Sequence, residues 1–105
     1  MANRGEIACR ILRACKEAGH PTVAVCAPND AGSLFTEMAD TVVMLEGETI
    51  AETYLDQNQI IQAALTTGAT AIHPGFGFLS ERAEFATAVE AAGLTWIGPS
   101  ALAIE

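Results

Sequence analysis

One phrase recurs three times in this chain and restricts its fold more than any other feature. An apolar-periodic helix closes on a glycine, and a short β-branched run follows at once, as in "KEAGHPTVAVCA", "TTGATAIHPG" and "AAGLTWIGPS". Glycine just past a helix supplies the left-handed residue that stops it. Short, nearly all-apolar runs between helices suggest parallel strands covered on both faces. The alternation predicts an α/β fold: a three-layer, doubly wound, mainly parallel sheet of about four strands.

The first helix is the clearest element. Ile7, Ala8, Ile11, Leu12 and Cys15 form one apolar stripe, while Arg10, Arg13, Lys16 and Glu17 fall mainly on the other side. Arg13 and Glu17 are four residues apart and can pair, for about 0.3–0.5 kcal/mol on a solvated helix. Glu6 near the helix start and Lys16 near its end suit the dipole. A strand "TVAVCA" follows, then the loop "PNDAGS", a short helix from about Leu34 to Ala39, and the strand "TVVMLE". "GETIAETY" reads as loop. A third helix carries Ile60, Ile61, Ala64 and Leu65 inward, and "ATAIH" is the next strand. After "PGFGFL", Ser80 suits the N-cap of a helix through "ERAEFATAVEAAG" that buries Phe85, Ala86, Val89 and Ala92. "LTWIG" is the last strand, and Pro99 suits the first turn of a further helix.

The 105 residues fit one domain, positions 1–105, and half of them are hydrophobic, enough for a core. The chain has thirteen acids against five bases, a net charge of −8, which argues against nucleic acid as a partner and for solubility. No apolar run is long enough to span a bilayer. The first apolar residues sit among Arg10, Arg13 and Lys16, unlike a signal peptide. The expected compartment is the cytoplasm, or an organelle matrix. Cys9, Cys15 and Cys26 are odd in number and fit no zinc or redox spacing, so they are expected as reduced, buried thiols.

Two stretches stand out as candidate sites. Asn3, Arg4, Gly5 and Glu6 lie at a helix start, where free N–H groups and a flexible glycine can hold an anion, or where Asn3 or Gly5 simply serves the cap. The stretch "HPGFGFLSE", residues 73–81, leaves a strand and enters a helix. Gly75 and Gly77 let its backbone bend and approach a ligand, and ligands bind open α/β sheets at the carboxyl ends of strands. A lone G-x-G is a weak signal, and Ser80 stands where a dinucleotide fingerprint has its third glycine. His73 reads either as a hydrogen-bonded structural residue or as a proton-transfer group. Phe76 and Phe78 read either as core anchors or as a pocket wall. From the residues alone, the reading stops at an α/β domain with a ligand loop.

"ANRGEIACRILRACKEAG", "PTVAV", "AD", "IHPGFGFLSE" and "IGPS", in this order, resemble the N-terminal domain of biotin carboxylase across essentially the whole chain. That ATP-dependent component is shared by acetyl-CoA, propionyl-CoA, methylcrotonyl-CoA and pyruvate carboxylases; the first domain of carbamoyl phosphate synthetase is a more distant match. The resemblance implies a Rossmann-like domain preceding ATP-grasp domains. The family reaction phosphorylates bicarbonate with ATP and carboxylates biotin on a carrier protein, with Mg²⁺ bridging the phosphates. Biotin, ATP and Mg²⁺ are thus the implied cofactors of the full-length enzyme, with none held tightly by this chain alone. The implied partners are the ATP-grasp remainder, the biotin carboxyl carrier protein and a second copy in a homodimer.

By the same resemblance, His73, Gly75, Phe76, Gly77, Ser80 and Glu81 face the biotin and bicarbonate side of the cleft. Arg13 and Glu17 match dimer-interface positions. No catalytic residue and no metal ligand is implied here, and the chain alone is expected not to turn over ATP. Phe76 stands where tyrosine is usual, and Arg82 where asparagine is common. The family places a strand before "ANRGEIA" and further domains after "IGPS", so the chain reads as a fragment lacking the usual first strand. Open strand edges are then expected, leading to aggregation, strand borrowing or rearrangement. The competing readings are a stand-alone nucleotide- or anion-binding module and a non-catalytic dimerisation domain.

Overall fold

The apolar stripe of the first helix sets the architecture. In the computed structural model, which describes residues 1–104 (Ala101 by its backbone only), α1 spans Gly5–Glu17 and buries Ala8 and Leu12. It leads into β1 (Val23–Cys26), α2 (Leu34–Met38) and β2 (Thr41–Met44), then α3 (Gln57–Thr67), β3 (Ala71–Ile72), α4 (Ala83–Ala91), β4 (Thr95–Trp96) and α5 (Ala101–Ile104). Single 3-10 turns occupy Pro28–Asp30 and Phe78–Glu81. Positive-φ glycines follow α1, α3 and α4, at Gly19, Gly68 and Gly93, as the recurring phrase requires. Asp56 caps α3 by accepting from the amides of Asn58 and Gln59.

β1 is covered on both faces. Ala24 and Cys26 pack with Ala8, Leu12 and Phe35 under α1 and α2. Val25 and Ala27 face the other way, into a larger core with Ile60, Ala64, Ile72, Leu79, Phe85 and Val89. Phe85 of α4 meets Trp96 of β4 edge to face, with ring centroids 5.5 Å apart. No helix among the described residues is long and apolar enough to cross a membrane.

Several expectations need correction. The strands do not form one sheet of four. β1 pairs in parallel with β2, Val23 opposite Thr41, and β3 in parallel with β4, Ala71 opposite Thr95, as two separate pairs. Met1 and Ala2 reach both pairs: the Met1 amino group donates to the Val23 carbonyl at 2.6 Å, and the Ala2 amide to the His73 carbonyl at 2.9 Å. Two residues supply one rung to each side, too few to join the pairs into a continuous ladder. Leu65 is exposed and Ala63 is buried in its place, because α3 turns its Ile60–Ala63–Ala64 face to the core. Ser80 does not cap α4. It sits in the preceding 3-10 turn with its hydroxyl on the Gly77 carbonyl at 2.6 Å, and α4 starts at Ala83. Of the cysteines, only Cys26 is buried; Cys9 and Cys15 are half-buried on α1.

The buried Met1 amino group makes stability depend on pH. Burial pulls its pKa from 8.0 down to about 6, against a smaller upward pull from Cys15. The unfolded chain therefore binds the extra proton between those values. Stability is expected to rise by about 2–3 kcal/mol from pH 6 to pH 8 and to level off above. His73, depressed by burial and then by the Met1 charge, acts in the same direction below its ordinary range. Urea melts across pH 5.5–8.5, on chain shown by intact mass to retain Met1, should give this slope; a flat profile would refute it.

Candidate functional site

The two stretches singled out from sequence meet at the carboxyl ends of β1 and β3, and Asn3 joins them. Its side-chain amide donates to the Pro74 carbonyl at 2.8 Å and to the Phe76 carbonyl at 2.7 Å. Its Oδ1 accepts from the Arg4 amide at 2.8 Å, satisfying one N–H at the start of α1. Asn3 is only 2 % exposed. Every polar arm of this side chain is thus used inside the protein, and the helix-start turn and the 73–77 loop become one unit. Gly75 is required by that contact: its φ is +69°, and a Cβ there would lie 2.8 Å from Asn3 Nδ2.

A second cluster supports the first. Arg4 donates to Asp30 Oδ1 at 2.5 Å, and the Tyr54 hydroxyl donates to Asp30 Oδ2 at 2.7 Å. The Tyr54 oxygen in turn accepts from the Ala27 amide at 3.0 Å. Burial opposes the Asp30 charge, but the hydrogen bonds from Arg4 and Tyr54 and the Arg4 charge outweigh it and hold the carboxyl below its usual range. Burial, and then donation to Asp30, pushes the Tyr54 hydroxyl well up. Tyr54 also stacks on Phe78, with centroids 5.3 Å apart and planes 12° apart. The loop after β1, the helix-start turn and the 73–81 loop are therefore tied together through Asp30 and Tyr54. Sequence reasoning missed both. Asp30 lies in "PNDAGS" and Tyr54, the single tyrosine, in "GETIAETY", both read from sequence simply as loops.

The remaining candidates fall into place around this knot. His73 Nδ1 accepts from the Gly75 amide at 3.1 Å, which places the proton of the neutral ring on Nε2. Burial first, and the nearby Met1 charge second, lower its pKa, so the ring is neutral at pH 7 and serves the turn. The two phenylalanines separate: Phe78 is the anchor, stacked on Tyr54, whereas Phe76 is 77 % exposed. Gly77 has φ 67° and ψ −164°, a region open essentially to glycine alone, and Phe78 follows at φ 49°. Ser80 is half-buried in the 3-10 turn, while Glu81, Glu6 and Gly5 are exposed. Arg13 and Glu17 are exposed on α1, away from the knot, and no ion pair joins them; among the described residues the ion pair is Arg4–Asp30. Arg4 and Asp30 neutralise each other, so this end offers shape and ring surface more than charge.

The sequence matches the family described as biotin carboxylase, N-terminal domain, over residues 1–104. It is 54 % identical over 105 residues to the biotin-dependent acyl-coenzyme A carboxylase alpha3 subunit of Mycobacterium leprae, covering all of this chain and 18 % of that protein. It is 51 % identical to the biotin carboxylase of Pseudomonas aeruginosa, again over the whole chain and 23 % of that protein. Among solved structures, it is similar to the biotin carboxylase domain dimer of the Hydrogenobacter thermophilus 2-oxoglutarate carboxylase, in complex with MgADP, ADP and bicarbonate. The TM-score is 0.94 at 47 % identity, over 98 % of this chain and 22 % of that one. The chain thus spans less than a quarter of each of these relatives. With a match along its length, and with Asn3 tying the "ANRGE" turn to the "HPGFGF" loop, the chain belongs to the biotin carboxylase N-terminal domain family.

Proposed function

We propose that this chain forms one wall of a biotin carboxylase cleft, at the carboxyl ends of β1 and β3. The observation that carries this reading is the Asn3 clamp, which holds both family motifs at one end of the fold with their backbones in fixed register. On this reading His73, Gly75, Phe76, Gly77, Ser80 and Glu81 line the biotin and bicarbonate side. The exposed face of α1, with Arg13 and Glu17, meets a second copy. The chain's own residues do not fit a MgATP site: Arg4, the cation of the knot, is committed to Asp30, and that carboxylate is committed to Arg4 and Tyr54. Phosphate-binding cations, Mg²⁺ ligands and the base that activates biotin come from the ATP-grasp remainder, and the carrier protein brings the biotin. The wall's contribution is positional: it orients the substrate-facing loop and excludes water from its side.

The test is complementation. The chain is mixed with the ATP-grasp remainder of a biotin carboxylase, and ATP hydrolysis dependent on both biotin and bicarbonate is assayed. Activity is expected from the mixture and from neither part alone. Assembly without activity would overturn the reading, provided that Phe76→Tyr and Arg82→Asn, which restore the common family residues, fail to bring activity back. Turnover by the pure chain would overturn the assignment of the chemistry to the remainder.

A further inference from the structure

Among the described residues β2 is hydrogen-bonded to β1 alone, so its other edge is open. The Thr41 and Leu45 amides donate to the Thr22 and Cys26 carbonyls, and the alternation along a parallel ladder sends Val43 the same way. The N–H and C=O groups of Val42 and Met44 therefore point outward, away from β1. The side chains add to this opening. Val42 lies opposite Ala24 and Met44 opposite Cys26, so the four share one face of the sheet. Ala24 and Cys26 are buried on that face with Ala8, Leu12 and Phe35, but the helical layer stops short of β2 and leaves Val42 and Met44 exposed. The edge thus offers unpaired backbone beside an uncovered apolar shelf.

Charge decides what can cover it. Open edges are commonly guarded by a lysine, a proline or a bulge, but "TVVM" contains neither residue and its register with β1 is unbroken. Asp40 precedes the strand and Glu46 follows it, both exposed. The chain has no lysine or arginine between Lys16 and Arg82. A second copy is therefore repelled. Pairing β2 with itself antiparallel in the fullest register, Val42 opposite Met44, sets each Asp40 opposite a Glu46, between chains of net charge −8. A strand carrying a cation at each end would meet attraction at the same two positions.

We propose that the outer edge of β2 docks an extended segment of a partner protein, which adds antiparallel to β2 with β-branched residues opposite Val42 and Met44 and a lysine or arginine opposite each of Asp40 and Glu46. Antiparallel pairing lets each outward residue exchange both hydrogen bonds with the residue directly opposite. The backbone supplies affinity, the bare shelf selects apolar side chains on one face, and the two carboxylates select the cationic ends. The site does not depend on the proposed catalytic role.

The test titrates the chain into the peptide Lys-Thr-Val-Thr-Val-Thr-Lys, blocked at both ends and carrying a neutral fluorophore on a short spacer, and reads anisotropy. Saturable binding is expected, whether the chain is a monomer or associates through another surface. Glu-Thr-Val-Thr-Val-Thr-Glu should not bind at about 1 mM, and neither should Lys-Thr-Pro-Thr-Pro-Thr-Lys, which lacks the N–H groups aimed at Val42 and Met44. Hydrogen exchange should show the Val42 and Met44 amides gaining protection in the complex, while Val43, already bonded to β1, changes little. Glu46→Lys alters an exposed side chain that makes no hydrogen bond among the described residues. It should weaken the lysine peptide about fivefold. Glutamate in place of the peptide's N-terminal lysine should restore binding to that variant, because an antiparallel strand brings its N-terminal end to Glu46; glutamate at the C-terminal end should not. Rescue by the C-terminal glutamate, or by neither, would overturn the proposal. So would equal binding of the lysine and glutamate peptides, binding without protection at Val42 and Met44, or no binding at all, including exclusion by a dimer that pairs β2 with a second copy.

Discussion

Replacing Asp30 with alanine is expected to destabilise the protein by about 3–4 kcal/mol, a large part of the stability of a domain this size. Asp30 is buried and holds two donors, Arg4 at 2.5 Å and the Tyr54 hydroxyl at 2.7 Å. Arg4 is half exposed and can turn to water, so the lost ion pair accounts for the smaller share. Tyr54 is 1 % exposed, and its hydroxyl would be left without an acceptor in the core, beside the void of the missing carboxylate. Tyr54→Phe separates the two effects, because it removes the donor and keeps the ion pair; it should lose only about 1–2 kcal/mol. The pH dependence has a definite sign. The Asp30 pKa is held below its ordinary value in the folded state, so its contribution is fully present above the unfolded value. It is lost as pH falls through the folded one. Wild-type protein should lose stability below about pH 4 more steeply than Asp30→Ala does. Parallel acid profiles for the two proteins, or a loss under about 1 kcal/mol in urea melts at pH 7, would show that the knot is ornamental.

The helices and their stops could be read along the chain because each depends on residues within one or two turns. The α1 stripe and the glycines behind α1, α3 and α4 are local signals, and the structure keeps them. What could not be read was whatever is decided by distant residues. The strands β3 and β4 are two residues each because pairing stops where no neighbour continues it, and nothing in "ATAIH" or "LTWIG" records that. Ser80 has the right chemistry for a cap, but Gly77 and Phe78 turn the chain through positive φ just before it and place its hydroxyl on Gly77. The site was legible in the same uneven way. The motifs at 3–6 and 73–81 stood out, and they do meet. Asp30 and Tyr54 did not, because their partners are 26 and 24 residues away and neither sits in a periodic pattern.

Asn3→Ala is expected to lose about 3 kcal/mol, and the loop it holds should loosen with it. The alanine removes the donor from two carbonyls and the acceptor from the Arg4 amide. A cap alone is worth about 1 kcal/mol, so the clamp on Pro74 and Phe76 carries the rest. Asn3→Asp distinguishes these roles. Aspartate keeps the oxygen that accepts from Arg4 and places a favourable charge at the start of α1. It also sets a carboxylate oxygen where the amide nitrogen stood, against two carbonyl oxygens that then repel it. If capping were the main role, Asn3→Asp would match or exceed the wild type. With the clamp dominant, it should be no more stable than Asn3→Ala at pH 7 and should recover part of the loss as the carboxyl protonates. Hydrogen exchange provides the independent check. The Gly75 amide, bonded to His73 Nδ1 only while the turn holds its shape, should exchange much faster in both variants. The buried interior of α4, at Phe85 and Val89, should slow or quicken only with global stability. A loop that stays protected in Asn3→Ala would mean that Gly75, Gly77 and Phe78 hold the turn by themselves, and Asn3 would then be a cap and nothing more.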